Sequence, residues 1–434
     1  MPYSTDTRTL RPGDVFVAIR GETHDGHAFI PQAVAKGAAG VVTERDVEVP
    51  EGVEVVRVES TLDYLIEQAT AKVRRLGPDV VAITGSMGKT STRTAVHAVL
   101  AEAFDVVASE GNMNTPLGLS LLVLNRAITP ETKLVLEMGA RLAGDLHALC
   151  DYFPPTVAVV TNVRGVHVET FGSIEGVQRE KSELVRALDE NGTACLNGDD
   201  PRVLAMAEVN RGRTITFGIG PGCDVRPDRI TAALPMLGEP GTYTALAAFS
   251  AGLAFGMSDE AINRGLARMK PEKGRLNRLR GRGGSVLLDD TYNASPDATL
   301  AALRVLLQQE GARHVAFLGD MLELGATEVE EHARVLTEAA GTVDVLHAVG
   351  PIMARAAATL PPALRERVTL HERSSALAES LRGGRVYEPR PGDVVLVKGS
   401  QGTRMERVSE ALLHPDLDPA DVLPRQTEAW KQIA

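Results

Sequence analysis

The stretch VVAITGSMGKTSTRTAVHAVL, residues 80–100, carries the residue types that phosphate chemistry requires. An apolar run, VVAIT, leads into Gly85, Ser86, Met87, Gly88, Lys89, Thr90 and Ser91, and a helical pattern follows from Arg93 to Leu100. A glycine loop between a buried strand and a helix aims backbone N–H groups and the positive end of the helix dipole at an anion. Lys89 would then reach the outer phosphates of a nucleotide, and the Thr90 hydroxyl would sit on Mg²⁺. The long phosphate-loop pattern needs one more glycine, at position 83, where Ile83 stands; only the short form G-x-x-G-K-T is present. A purely structural turn is the competing reading, and the strand–loop–helix context favours the phosphate.

Further candidates stand where other apolar runs end. KLVLEMG puts Glu137 just past such a run, where a carboxylate could hold a metal at the C-terminal edge of a sheet or merely cap the next helix. TVAVVTNVRGVH places Asn162 and His167 in the same relation to their run. GDDPR, residues 198–202, reads as a turn with Asp caps. Lys181, in REKSEL, reads by itself as a solvated helix lysine.

These residues need a scaffold, and the 434-residue chain is long enough for three domains at about 150 residues each. Hydrophobic content of 44% with 24% charge is that of a globular protein. Residues 1–77 form a small α/β module, with the runs VFVAI and GVV around a helical FIPQAVAKGA. Residues 78–274 follow the charged linker RRLGPD and alternate helices with VVAIT, KLVLEMG, TVAVVTNV and GTACLNGDD. Continuous apolar runs bounded by turns suit parallel strands covered on both faces. Residues 275–434 repeat the pattern with SVLLDDT, HVAFLGD, VLHAVG and DVVLVKG. The expected fold is therefore α/β in three domains, with a loosely ordered Pro- and Asp-rich tail after Pro415.

Composition also excludes classes of function. A net charge of -11 and 4% aromatic residues argue against a nucleic-acid-binding face. No apolar run approaches the roughly 20 residues that span a bilayer, so no stable membrane insertion is expected. The N-terminal MPYSTDTRTL lacks the pattern of a secretory signal, and Cys150, Cys195 and Cys223 form no CxxC or disulfide framework. A cytoplasmic location is expected.

Taken together, the motifs resemble the ATP-dependent Mur ligases, which build the peptide stem of bacterial cell-wall precursors. At the N-terminus, TDTRTLRPGDVFVAIRGETHDGHAFIPQAVAKGAAGVV is similar to the family's UDP-binding module. TGSMGKTS, the GNMN of 111–114, EMGA at 137–140 and TNVRGVHVETFGSIEGVQREKSEL are similar to its central ATPase domain. DDTYNASP, LGDMLELG and LVKGSQGTRMERV are similar to the C-terminal Rossmann-like domain of the branch that adds D-alanyl-D-alanine. The family's own loop is the short G-x-x-G-K-T form.

A monomer is expected, and the resemblance implies use of ATP and two Mg²⁺ ions, with UDP-MurNAc-tripeptide and D-Ala-D-Ala as substrates. It implies that Lys89, Glu137, His167 and Lys181 carry the chemistry. Thr90 and Glu137 would hold one Mg²⁺ and His167 the second, with Lys181 carbamylated into an anionic metal ligand. Arg275, Asn293 and Asp320 match positions that contact ATP. Asp6 and Arg8 would meet the UDP moiety, Asn112 and Asn114 the muramoyl part, and Lys398 and Ser400 the incoming dipeptide.

Two segments depart from the family pattern. Members commonly carry G-x-H-N-x-x-N-A-L-A-A late in the middle domain, where this chain has GEPGTYTALAA, residues 238–248. Thr115-Pro116 follow GNMN where relatives often have further polar residues. The alternatives are the ligase that adds the third, diamino residue, a folyl-polyglutamate synthase, and a non-catalytic nucleotide-binding regulator. The first would carry DNPR in its third domain, whereas the similar DDPR here lies in the middle one. The second would not need the TDTR module, and the third would not need His167 and Lys181 beside the loop.

Overall fold

A computed structural model describes the whole chain except residues 22–23, 112, 166–167 and 432–434, and the side chains of 168, 169 and 429. Three sheets follow one another along the chain. The first contains β1 (Tyr3–Ser4), β2 (Val15–Val17), β3 (Gly40–Thr43) and β4 (Glu54–Arg57), all parallel and in sequence order. The second contains β5 (Asp79–Thr84), β6 (Val106–Ala108), β7 (Lys133–Glu137), β8 (Val157–Val160), β9 (Thr193–Asn197) and β10 (Arg213–Phe217). Its order is β10-β9-β8-β5-β7-β6, again wholly parallel.

The third sheet is built from β11 (Asn277–Arg280), β12 (Val286–Asp290), β13 (Arg313–Gly319), β14 (Val345–Val349), β15 (Val368–His371) and β16 (Asp393–Lys398). Its order is β11-β12-β16-β13-β14-β15, and only β11 runs antiparallel. The continuous Val/Ile/Leu runs are what a strand between two helical layers demands. Residues 80–84 of β5 are accordingly buried on both faces, Val80 and Ala82 in one apolar cluster and Val81 and Ile83 in the other. The α/β fold expected from the runs is the fold observed.

Sheet order decides where a ligand can sit. β5 is flanked by β7 and β8, so the loop after β5 opens between the ends of its two neighbours. That is the edge where parallel α/β sheets hold ligands. Glu137, the last residue of β7, pairs in register with Ile83, two residues before Gly85. Thr84 pairs with Val160, which puts Thr161 and Asn162 on the loop's other flank.

Two expectations need correction. The helix after the loop spans Lys89–Leu100 and not Arg93–Leu100, because Gly88 turns the chain at φ +79° and every residue from Lys89 onward is helical. The described part of the segment beyond Pro415, residues 416–431, is not loose. Leu423 is buried, Lys273 Nζ donates to the Ala420 carbonyl at 2.6 Å, and the Arg425 guanidinium is paired with the Glu406 carboxylate at 2.9 Å. A few anchoring side chains outweigh an otherwise polar composition.

Candidate active site

The glycine loop is stitched to the end of β8. Gly85 has φ +152°, and a Cβ placed on it would lie 1.9 Å from the Thr161 hydroxyl, so the close approach requires glycine. Ser86 N donates to the Asn162 carbonyl at 3.0 Å, and Arg164 N donates to Ser86 Oγ at 2.9 Å. Met87 has its N–H on Asn162 Oδ1 at 2.9 Å, and its carbonyl accepts from Thr161 Oγ1 at 2.7 Å. Its sulfur accepts from Ser295 Oγ of the third domain at 3.6 Å. Sequence gave no reason for methionine at this position; the contact with Ser295 supplies one.

The helix Lys89–Leu100 begins after Gly88 with no side-chain cap hydrogen bond among the described residues, which leaves its first-turn N–H groups for an anion. Lys89 Nζ donates back to the Gly85 carbonyl at 2.7 Å and the Ser86 carbonyl at 3.4 Å. Burial pushes its pKa down; Glu137 opposes this and Arg275 adds to it. Cation and carboxylate therefore feel each other across the loop. Thr90 is buried, and its hydroxyl accepts from Arg275 Nη2 at 3.3 Å, which brings a third-domain cation onto the loop.

Glu137 does not cap the next helix. That helix, Asp145–Tyr152, takes its N-terminal contacts from Glu180, which accepts from Gly144 N and Leu146 N at 2.9 Å each. Glu137 Oε1 accepts from Asn114 Nδ2 at 3.3 Å, while Oε2 is buried with no hydrogen-bond partner among the described residues. A buried carboxylate oxygen left bare costs free energy unless something cationic meets it. Among the described residues no three His, Cys, Asp or Glu side chains cluster as a self-sufficient metal cage. A site of one carboxylate and one hydroxyl instead suits Mg²⁺, which takes few protein ligands and completes its shell from phosphate and water. The oxygen donors of Glu137 and Thr90 fit that ion.

Lys181 lies on the helix Ile174–Arg186 and is buried, at 7% exposure, rather than solvated. Among the described residues it makes no hydrogen bond or ion pair. Burial pushes its pKa down to about 7, helped by the Lys89 cation and opposed by Glu180. His167 and Asn112 lie outside the described residues.

The remaining candidates divide. Arg275 reaches the loop, but Asp320 does not: its buried carboxylate accepts from Met353 N at 2.8 Å and Ile352 N at 3.2 Å, at the start of the helix Pro351–Ala358. Lys398 is committed to a buried pair with Asp290 at 2.6 Å and to the Asn293 carbonyl at 2.9 Å. Asn293 keeps an exposed side chain. Ser400 Oγ accepts from Leu322 N at 2.9 Å, which ties two loops at one sheet edge. Asp6 and Arg8 pair with each other at 2.7 Å on the first domain's surface.

A cavity of about 480 Å³ opens beside the loop, between the second and third domains. Met87, Gly88 and Ser91 of the second domain and Leu300 and Ala301 of the third are among the residues that line it. The altered segment 238–248 forms the start of the helix Gly238–Ala254, and its Gly241, Tyr243 and Thr244 face the same cavity. Sequence reasoning passed over the groups that lock the segment just before the third domain onto the loop helix: Arg93 pairs with Glu272, and Thr94 Oγ1 donates to the same carboxylate at 3.0 Å. An arginine inside a helix gives no sign of a partner so far along the chain.

With this geometry in hand, comparison with known proteins places the molecule in a class. Residues 3–82 match the Mur ligase family catalytic domain, 83–236 the Mur ligase middle domain, and 274–401 the Mur ligase glutamate ligase domain. The chain belongs to the Mur ligase family. Within it, the chain is 32% identical to the UDP-N-acetylmuramoyl-tripeptide–D-alanyl-D-alanine ligase of Bacillus subtilis, over 95% of this chain and 93% of that one. It is also similar to the crystal structure of MurF from Acinetobacter baumannii, with a TM-score of 0.83, 28% identity, and coverage of 94% and 93%. The MurF ligase of Thermotoga maritima in complex with ADP superposes with a TM-score of 0.79 at 30% identity, covering 94% and 96%.

Proposed function

We infer that this protein is an ATP-dependent ligase that joins D-alanyl-D-alanine to UDP-N-acetylmuramoyl-tripeptide in peptidoglycan synthesis. The observation that carries the reading is the meeting of Lys89, Thr90, Glu137 and Arg275 around one glycine loop, in a chain that matches a ligase of that name over 95% of its length. A carboxylate does not accept an amine at neutral pH, because oxide is too poor a leaving group. Transfer of the γ-phosphoryl group of ATP to the tripeptide carboxylate leaves ADP and an acyl phosphate. The dipeptide amine then attacks the acyl carbon, and the tetrahedral adduct collapses to the amide and inorganic phosphate.

The loop N–H groups and Lys89 hold the phosphates and offset the charge that builds on them as transfer proceeds. Arg275 adds a second cation from the third domain, so the site is complete only when the two domains meet. Thr90 and Glu137 would hold one Mg²⁺, with His167 assigned to a second; the ions supply charge neutralisation between two anions that must be brought together. Lys181, buried and without a partner among the described residues, is suited to react as the neutral amine with CO₂, giving a carbamate and a proton. The product places an anion beside Lys89 where an ammonium would repel a metal. Asp6, Arg8, Asn112 and Asn114 are assigned to the UDP-muramoyl end, and Lys398 and Ser400 to the dipeptide end. Asn293 and Asp320 are assigned to the ATP side, Asp320 by holding its helix. The three cysteines are free, as suits a reducing cytoplasm.

The test is product formation: with ATP, Mg²⁺, UDP-MurNAc-tripeptide and D-Ala-D-Ala, the expected product is the UDP-linked pentapeptide, detected by mass. Phosphate release must depend on the dipeptide. Product formed only from UDP-MurNAc-dipeptide and a free diamino acid would move the chain to the neighbouring ligase.

A further inference from the structure

The C-terminal segment reaches back to the linker between the second and third domains. Arg425 is buried with its guanidinium spread over three acceptors: Tyr292 O at 3.1 Å from Nη1, and Thr291 O and Glu406 Oε2 from Nη2. It holds this place at φ +57°, a conformation that a non-glycine residue keeps only when its surroundings compensate. Upstream, Pro424 lies against Gly274, where an added Cβ would come within 2.9 Å of the proline ring. The ring of Tyr292 lies 5.8 Å from Arg425 Cζ and 4.0 Å beneath Arg275 Cζ. Tyr292 N donates to the Gly274 carbonyl at 3.0 Å, which fixes the ring against the residue preceding Arg275. Arg275 Nε is buried without a hydrogen-bond partner, so among the described contacts the ring face and the Thr90 hydroxyl hold this guanidinium.

We propose that Arg425 is a positioning residue for the nucleotide site: through the backbone and ring of Tyr292 it sets the Arg275 guanidinium on Thr90 of the glycine loop. The C-terminal segment thereby helps to assemble a site that lies across the domain boundary. The assignment rests on the ligase reading for its role in turnover, but its effect on nucleotide affinity does not.

The experiment is calorimetric titration of the full chain with Mg²⁺ and a non-hydrolysable ATP analogue, with no other substrate present. Arg425→Lys keeps a cation for Glu406 but loses the fork that spans the carbonyls. Tyr292→Leu removes the ring and leaves the Arg425–Glu406 pair in place, while Tyr292→Phe keeps the ring. Losing one well-placed cation–ring contact is expected to weaken analogue binding about tenfold in Arg425→Lys and Tyr292→Leu. Tyr292→Phe is expected to bind as the parent does. The double variant Arg425→Lys/Tyr292→Leu is expected to be no weaker than either single one, because both act through one guanidinium. In turnover, KM for ATP is expected to rise and KM for D-Ala-D-Ala to stay unchanged. Tyr292→Leu decides the matter if Arg425→Lys lowers Tm by itself. Unchanged analogue affinity in folded Arg425→Lys, or in folded Tyr292→Leu, would overturn the proposal, as would losses that multiply in the double variant. Absence of amide product alongside the expected affinity losses would overturn the ligase reading alone.

Discussion

Lys181→Ala is expected to lower amide formation by about 10²–10³-fold, the usual loss when one charged group of a transition-state site is removed. The side chain it removes is buried, makes no hydrogen bond among the described residues, and has its charge opposed by the Lys89 cation. No described residue bonds to this ammonium, and burial works against its charge. An amine in that environment is nucleophilic, so the wild type is expected to gain activity on adding bicarbonate after CO₂ depletion. Lys181→Ala is expected to recover part of its activity with acetate or propionate, which place a carboxylate in the space vacated. If Lys181 served as a plain cation, bicarbonate would change nothing and Lys181→Arg would retain activity. That pair of results would remove the carbamate from the account.

Glu137→Gln is the second large effect, and its two consequences run in opposite directions. The substitution keeps the shape and the acceptor for Asn114 but removes a charge whose second oxygen is buried and bare. Turnover is expected to fall about 10²–10³-fold at fixed Mg²⁺. The Mg²⁺ concentration needed for half-maximal rate is expected to rise. Thermal stability measured without ligands is expected to hold or increase slightly, because an incompletely compensated buried charge is removed. A residue kept only to hold the fold would behave in reverse, with a lower Tm and an unchanged Mg²⁺ requirement.

The sheets were legible because each central strand is a continuous apolar run ended by a turn, as in VVAIT and DVVLVKG. The start of the helix at Lys89 was less so, since Lys89-Thr90-Ser91-Thr92-Arg93 carries no apolar stripe and only the Gly88 turn marks its beginning. The tail misled for a related reason: its order depends on Leu423 and Arg425, and two anchors do not alter a composition. Strand-end acids show the limit of local reading. Glu137 and Asp320 both follow apolar runs, yet one leaves an oxygen bare beside the loop and the other is spent on two backbone N–H groups. Sequence spacing cannot separate these outcomes, because the helix that Asp320 holds begins about thirty residues later. Lys181 was invisible without the family resemblance, since REKSEL is charged enough to pass for a solvent face while its lysine is buried. The Tyr292–Arg425 contact joins residues more than a hundred positions apart and leaves no trace in either neighbourhood.

The central claim is that the loop, its cations and its bare carboxylate serve to activate a carboxylate by phosphorylation. UDP-MurNAc-tripeptide labelled with ¹⁸O in the reacting carboxyl group tests it directly, with ATP, Mg²⁺ and D-Ala-D-Ala present and the released phosphate analysed by mass. Passage through an acyl phosphate moves one ¹⁸O from the carboxyl group into inorganic phosphate and leaves one in the new amide carbonyl. Inorganic phosphate free of label, with pentapeptide still formed, would contradict the account.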